Sequence, residues 1–383
     1  MENLICTMMD FIASEVCGKT INREQYNLTE DALLRLYKIS KAHDLAHLVG
    51  DTLIKNDLIQ NDEIKAKFQN QMMLAVYRYE KMNYELTRLR ELLNEVRAPF
   101  IPLKGSVMRQ YYPKPWMRTS CDIDILVHDE QVEQVAKAVA EKLRYVLKNN
   151  NYHDISLMSE SGVHLELHHS IKEDKPNIDA LLSDCWNFAS EQHEYEYEFT
   201  NEFFVFHQIA HASHHFLNGG CGVRPFLDLF LLQRKMPFDS TVLDEMLEIS
   251  GIKKFFDSAS ALADVWFGEG EHSDVTWRME QFVISGGVYG TMKNLMAVGQ
   301  QKEKGRLGYI LNHIWLPYEF LCISNPRLVG RKYLQLFYEI KRWFRIFNPE
   351  ARKRKKYELD AIKNLSAEHK SDVKKMLSEL ELI

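Results

Sequence analysis

The 383-residue chain has six cysteines, Cys6, Cys17, Cys121, Cys185, Cys221 and Cys322, and no two of them form a Cys-x-x-Cys pair. That scatter excludes a compact zinc or disulfide framework and fits reduced, mostly buried thiols of a cytosolic protein. Long apolar runs are missing too. The nearest candidate for a membrane span, Tyr309 to Ser324, is interrupted by Asn312, His313, Pro317 and Glu319, where a span needs about 18 uninterrupted apolar residues. The opening stretch, MENLICTMMDFIASEVCG, carries acids where a secretory signal carries Lys or Arg, so cytoplasm is the expected location. Excess positive charge is absent as well. A net charge of −6 leaves nothing global to attract a polyanion, which argues against a general nucleic-acid binder. There is no internal repeat and no low-complexity linker. What remains, 45% hydrophobic and 27% charged residues, is an ordinary globular composition with a sizeable core. The length suggests two or three structural units.

Residues 1–97 read as helical. The clearest element runs from Asn61 to Arg97, where Ile64, Phe68, Met72, Val76, Tyr79, Met82, Leu86, Leu89, Leu93 and Val96 recur at threes and fours. That spacing is one apolar stripe on a long amphipathic helix. The pattern changes at Pro99. Phe100 to Leu103 is a short apolar run ending at Gly105, which predicts a strand, a turn, and a short helix from Ser106 to Tyr112 closed by Pro113 and Pro115. Asp122 to Val127 reads as a strand and Glu130 to Leu143 as a helix. Asp154 to Met158 and Val163 to His168 read as two further strands, the last strictly alternating. After residue 176 the periodicity is helical again, with a helix from Asn201 to Phe216, a break at Gly219-Gly220, and another helix from Val223 to Leu232. The expected units are therefore a helical region at 1–97, an α/β core at 98–175, and a helical region at 176–383 closing a cleft.

Residues two apart on a strand share a face, so Asp122 and Asp124 project together and can share a hard cation such as magnesium. On the last strand His164, Glu166 and His168 take one face. If the two strands are neighbours, Glu166 completes a three-carboxylate site, the arrangement that phosphoryl transfer uses to hold two metals about 4 Å apart. The Gly105-Ser106 turn sits where a strand meets a helix, and glycine there lets backbone amides approach a phosphate. Lys104 and Arg118 would add positive charge. Alone, Asp-x-Asp or Lys-Gly-Ser means little, and each is commonly a solvated turn; the order and spacing carry the argument.

The stretch LKGSVMRQYYPKPWMRTSCDIDILV resembles the signature of the poorly characterised nucleotidyltransferases of the DNA-polymerase-beta-like superfamily. HLELHHS is similar to the third-strand motif, and looser similarity runs through HQIAHASHHFLNGGCGVRPFLDL and KAHDLAHLV. The resemblance implies an α+β fold with a small mixed sheet and flanking helical regions. It implies a phosphate-turn role for Gly105 and Ser106 and metal roles for Asp122, Asp124 and Glu166. One departure is His169, where the family pattern suggests an aromatic residue. The implied activity is transfer of a nucleoside monophosphate from a triphosphate to an acceptor hydroxyl, with Mg2+ or Mn2+, and with Lys104, Gly105, Ser106 and Arg118 on the phosphates. The acceptor, a small molecule or a protein, stays open. So does the alternative of a non-catalytic nucleotide sensor or scaffold that keeps the fold.

Three features have both bland and functional readings. His207, His211 and His214 share a helix face and either pack or touch substrate; a zinc site lacks the glutamate a metallopeptidase helix would need. Arg224 and Asp228, four apart, either pair with each other or place Arg224 on a triphosphate. The basic cluster at Arg352-Lys353-Arg354-Lys355-Lys356 is either a solvated helix face or a contact for acidic partners.

Overall fold

The computed structural model describes residues 2–173, 175–302, 318, 321, 328, 330–344 and 366–383; the basic cluster at 352–356 and Cys322 lie outside them. Seven strands, β1 (Phe100–Pro102), β2 (Asp122–Val127), β3 (Val146–Asn150), β4 (Asp154–Met158), β5 (His164–His168), β6 (Ala189–His193) and β7 (Glu196–Phe199), make one mixed sheet. Its order is β3-β4-β5-β2-β1-β7-β6. β2 runs parallel to β5 and antiparallel to β1, and β1 pairs parallel with β7. The fold is α+β. Four helices precede the sheet: α1 (Glu2–Cys17), α2 (Glu30–Ala42), α3 (Ala46–Lys55) and α4 (Asp62–Glu95). Within it lie α5 (Gly105–Met108), α6 (Val132–Leu143) and α7 (Pro176–Leu182). After it come α8 (Asn201–Leu217), α9 (Arg224–Lys235), α10 (Ser240–Ile249), α11 (Lys253–Phe267), α12 (Asp274–Gly286) and α13 (Met292–Lys302), with Gln335–Phe344 and Ala367–Glu379 further on. None of the described helices is long and apolar enough to cross a membrane.

Alternation along the central strands builds two cores. Ile123, Ile125 and Val127 of β2 join Leu165 and Leu167 of β5 in a cluster with Val132, Val135 and Val139 of α6 and Leu86, Leu89 and Leu93 of α4. Leu126 belongs instead to the second cluster, with Ile101 and Leu103 beside β1 and the apolar faces of α1, α8, α9 and α11. Helices from before and after the sheet thus share one core. Asp122 and Asp124 project from the Leu126 face of β2, away from α4 and α6.

The long helix α4 spans both cores. Asn61 caps it by accepting from the amides of Glu63 and Ile64 at 3.0 and 3.1 Å. Ile64 and Phe68 pack in the core shared with α1, and Met82 through Leu93 pack against the sheet. Between them the stripe loses its partner, so Val76 is exposed, contrary to the continuous stripe read from spacing. A helix of 34 residues outruns a single core. α3 crosses it at Gly50, where a Cβ would fall 2.8 Å from the Cβ of Phe68; that close approach requires glycine.

The sheet is larger than the sequence suggests. β6 and β7 fall in a stretch read as helical, and β3 went unread. Each is short and at or near a sheet edge, and β3 and most of β6 are exposed. Such strands bury too little to show the period-2 alternation that marks a half-buried strand.

Because Ile125 is fully buried between the sheet and its helices, Ile125→Ala is expected to lower unfolding free energy by about 2–5 kcal/mol in denaturant titrations. A loss below about 1 kcal/mol would mean the sheet and its helices pack more loosely than the burial implies.

Candidate functional site

The parallel register of β2 and β5 sets Asp122 beside His164, Asp124 beside Glu166, and Leu126 beside His168. Aligned residues of neighbouring strands point to the same face, so three carboxylates and two imidazoles converge. Candidate ligand atoms of Asp122, His164 and Glu166 lie within 4.8 Å of one another, as do those of Asp124, Glu166 and His168. His169, at the position of the departure noted above, turns aside to pair with Asp129 at 2.8 Å.

Electrostatics distinguish the three acids. Asp124 is 3% exposed. Burial opposes its charge, but Lys104 Nζ and His168 Nε2, each 2.9 Å from Oδ1, hold it well below the usual carboxylate range. Asp122 has no such partner. Burial and the negative charge of Asp124, then of Glu166, push it up to about 6 despite Lys104. His168 moves the other way: burial disfavours its charge, yet hydrogen bonds to Asp124 and Glu166 raise it to about 9. A cluster in which one acid is held up by burial and by like charge favours an added cation. Its oxygen-rich donor set suits magnesium or manganese better than a thiophilic metal.

Lys104 reaches Asp124 from a tight turn. The Ser106 amide donates to the Leu103 carbonyl at 3.1 Å, and Lys104 has φ 46° and ψ −115°. Those angles belong to the first central residue of a type II′ turn, a position that favours glycine. Gly105 is required for a different reason, because a Cβ there would meet Ser120 Cβ at 3.0 Å. The helix expected from Ser106 to Tyr112 shrinks to the four residues of α5, followed by a 3-10 turn at Arg109–Tyr111. So short a helix contributes little dipole, and the Ser106 amide is consumed by the turn; the phosphate-binding argument from a helix start is weakened accordingly.

Arg224 and Asp228 do not pair with each other. Asp228 is gripped by Arg118, Nε to Oδ1 at 2.9 Å and Nη2 to Oδ2 at 2.8 Å, and by the Tyr112 hydroxyl at 2.7 Å. Arg224 donates to Asp44 Oδ2 at 2.7 Å and to Thr119 Oγ1 at 3.0 Å. Both arginines line the site's cavity, yet each is already committed to a carboxylate. Helical spacing permits the i, i+4 pair; the buried loop before β2 supplies better-oriented partners.

The cavity, about 540 Å³, is lined by Lys104, Gly105, Asp122, Asp124, Glu166 and His168 on the sheet side. From α8 it receives His207, Gln208, His211, His214 and His215, so the histidine stripe faces the same space as the carboxylates. Sequence reasoning missed Glu173, which bonds His211 Nδ1 at 2.7 Å, and Asp44, Tyr112 and Thr119. Single polar residues in loops carry no periodicity, and no spacing rule could have found them.

A family model described as an uncharacterised nucleotidyltransferase matches residues 30–268. The chain belongs to that family. The matched segment takes in the whole sheet and helices α2 to α11. Comparisons with curated proteins and with solved structures give no match.

Two stability measurements test this geometry. Lys104→Gly and Lys104→Ala both remove the ammonium, so their difference isolates the backbone. Glycine is expected to be the more stable by about 1–3 kcal/mol, the reverse of its usual ranking; equal stabilities would remove strain from the turn. Asp228→Ala leaves the Arg118 charge buried without a partner and is expected to cost about 3–5 kcal/mol. A cost near that of an exposed ion pair would show the pair to be dispensable.

Proposed function

We propose that this chain is a metal-dependent nucleotidyltransferase that moves a nucleoside monophosphate from a nucleoside triphosphate to an acceptor hydroxyl and releases pyrophosphate. The observation that carries the reading is the alignment of Asp124 with Glu166, with Asp122 two residues earlier on the same face, in a cavity that also holds Lys104 and Gly105. Magnesium or manganese held by Asp122, Asp124 and Glu166 would neutralise charge at the reacting phosphate and acidify the acceptor hydroxyl. In the reaction the acceptor oxygen loses its proton and forms a bond to the α-phosphorus. The bond from that phosphorus to the bridging oxygen breaks, and pyrophosphate leaves with the electron pair. Glu166 is the candidate to accept the proton.

Lys104 brings positive charge toward the β- and γ-phosphates, and Gly105 keeps the adjoining wall free of a Cβ. Ser106, given a phosphate role by the resemblance, is not among the residues lining the cavity, and its buried hydroxyl has no hydrogen-bond partner among the described residues. Arg118 and Arg224, bonded to Asp228 and Asp44, contribute positive potential more than free donors. Positioning and electrostatics are the main tools of phosphoryl transfer. The second reading, a nucleotide sensor or scaffold without turnover, draws on the ion pairs that already satisfy Asp124.

The test is incubation with each of the four common ribonucleoside triphosphates and magnesium or manganese, with pyrophosphate and orthophosphate measured separately. Slow metal-dependent pyrophosphate release to water is expected, abolished by Asp122→Asn. Since Asp122 is repelled by Asp124 and Glu166, that variant should unfold at the wild-type temperature or above it. Orthophosphate release would overturn the chemistry, and no release with any triphosphate would favour the sensor.

A further inference from the structure

Helix α8 brings a second, chemically different wall to the cavity. Glu173, in the segment after β5, holds two of its histidines. His211 Nδ1 lies 2.7 Å from Glu173 Oε1, and His214 Nδ1 lies 3.2 Å from Oε2 and 3.0 Å from the Glu173 carbonyl oxygen. Carboxylate and carbonyl oxygens only accept, so both Nδ1 atoms carry hydrogens, and any lone pair these rings offer is on Nε2. His215 Nε2 sits 3.0 Å from His211 Nε2. His215 is therefore the donor in that contact, and its own lone pair is on Nδ1. Burial, with neighbouring positive charge, holds His211 and His215 below their ordinary values.

His207 supplies the independent sign of a ligand. Its side chain is 1% exposed and lines the cavity, and neither ring nitrogen has a hydrogen-bond partner among the described residues. Burial, then the neighbouring His211 and Lys104, lower it to about 3, so the ring is neutral. An unpaired buried polar group is destabilising, and a bound molecule that pairs it would recover that cost. Gln208 Nε2, one residue on, is likewise unpartnered. The cavity residues of α8 include no Lys or Arg. Lys172 also lines the cavity, at an exposed position beside Glu173, and Lys104, Arg118 and Arg224 are each bonded to an acid.

We propose that the α8 wall is the acceptor subsite of the cavity and that it takes a neutral polyhydroxy compound. Hydroxyl hydrogens are donated to His214 Nε2 and His215 Nδ1, while His207 and the Gln208 amide bond the remaining oxygens. An anionic acceptor finds only the exposed Lys172 there, with no buried cation free to meet it, and faces Glu173 beside the two histidines. This assignment rests on the nucleotidyl-transfer reading of the carboxylate site, because only a transferase needs an acceptor, but the binding itself is read without turnover. Glu173 acts as a positioning residue, fixing which nitrogen of His211 and His214 carries the hydrogen.

The test is an imidazole 15N spectrum of the labelled full chain, titrated with myo-inositol and, separately, with inositol 1-phosphate. His211 and His214 should appear as Nδ1–H tautomers, and myo-inositol should shift the resonances of His207, His214 and His215 saturably. Glu173→Gln should weaken that binding about tenfold, the worth of one good buried hydrogen bond; His215→Asn, at an exposed position, should weaken it without disturbing the fold. Asp122→Asn should leave it unchanged. Tighter binding of the phosphorylated compound, absence of saturable shifts, or indifference to both substitutions would overturn the proposal. Polyol binding without pyrophosphate release retires the transfer reading and the acceptor role with it but keeps the polyol site, and pyrophosphate release without polyol binding retires this subsite alone.

Discussion

Three carboxylates on one sheet face repel each other, and the local structure is arranged around that repulsion. The parallel register of β2 and β5 creates the cluster; Lys104 and His168 counter it at Asp124. His168 costs nothing in geometry, since it lies two residues beyond Glu166 on the same face of β5. Lys104 is more expensive. To bring its ammonium within 2.9 Å of Asp124 the chain turns sharply at a backbone conformation that suits glycine, and Gly105 must then slide under Ser120. A residue with less reach or no charge would gain nothing from that turn.

A second layer of ion pairs ties the helices to the site. The segment between α5 and β2 contributes Arg118 and Thr119; the first binds Asp228 on α9, the second meets Arg224 and Asp44. Asp44 sits between α2 and α3, so elements from before and after the sheet close on the same loop. The core shared by α1, α8, α9 and α11 fixes their relative positions by apolar burial, and the polar clamps add direction, as buried pairs do more reliably than they add stability. Movement of α9 would therefore be felt at β2 through Asp228 and Arg118.

Strongly periodic parts of this fold were legible in the sequence. The apolar side of β2, the alternation in β5 and most of α4 follow from spacing alone, and so does the shared face of Asp122 and Asp124; that Glu166 joins them was conditional on the two strands being neighbours, as the register makes them. The bounds of α8 and the strand before Lys104 were also readable. What spacing could not convey was partnership. Arg224 and Asp228 have the separation of a helix pair, but burial and the geometry of a distant loop decide which acid each base meets. Edge strands such as β3 and β6 escape for the opposite reason, since mostly solvated residues leave no alternation to read. Lys104 carried a signal of the right kind in the wrong register: glycine at 105 suggested a special backbone, while the special backbone is one residue earlier and 105 is glycine for lack of room.

Departures from local rules are unevenly spread in this chain, and their distribution is informative. Arg144 has positive φ, but at 60° and 34° it is an ordinary left-handed helix end. Lys104 instead occupies a region that costs roughly 1–3 kcal/mol outside glycine. His207 is buried with neither ring nitrogen paired among the described residues, and Asp122 is held up by burial and its neighbours' charge. All three line the same cavity. A protein whose net stability is on the order of 5–15 kcal/mol keeps several such costs only when large cores offset them, and two extended apolar clusters do so here. Folding alone would be better served by a phenylalanine at 207 and an asparagine at 122, and by glycine at 104 as far as the backbone is concerned. Each of those substitutions would strip the cavity of a charge or a lone pair that the proposed reading of the site uses.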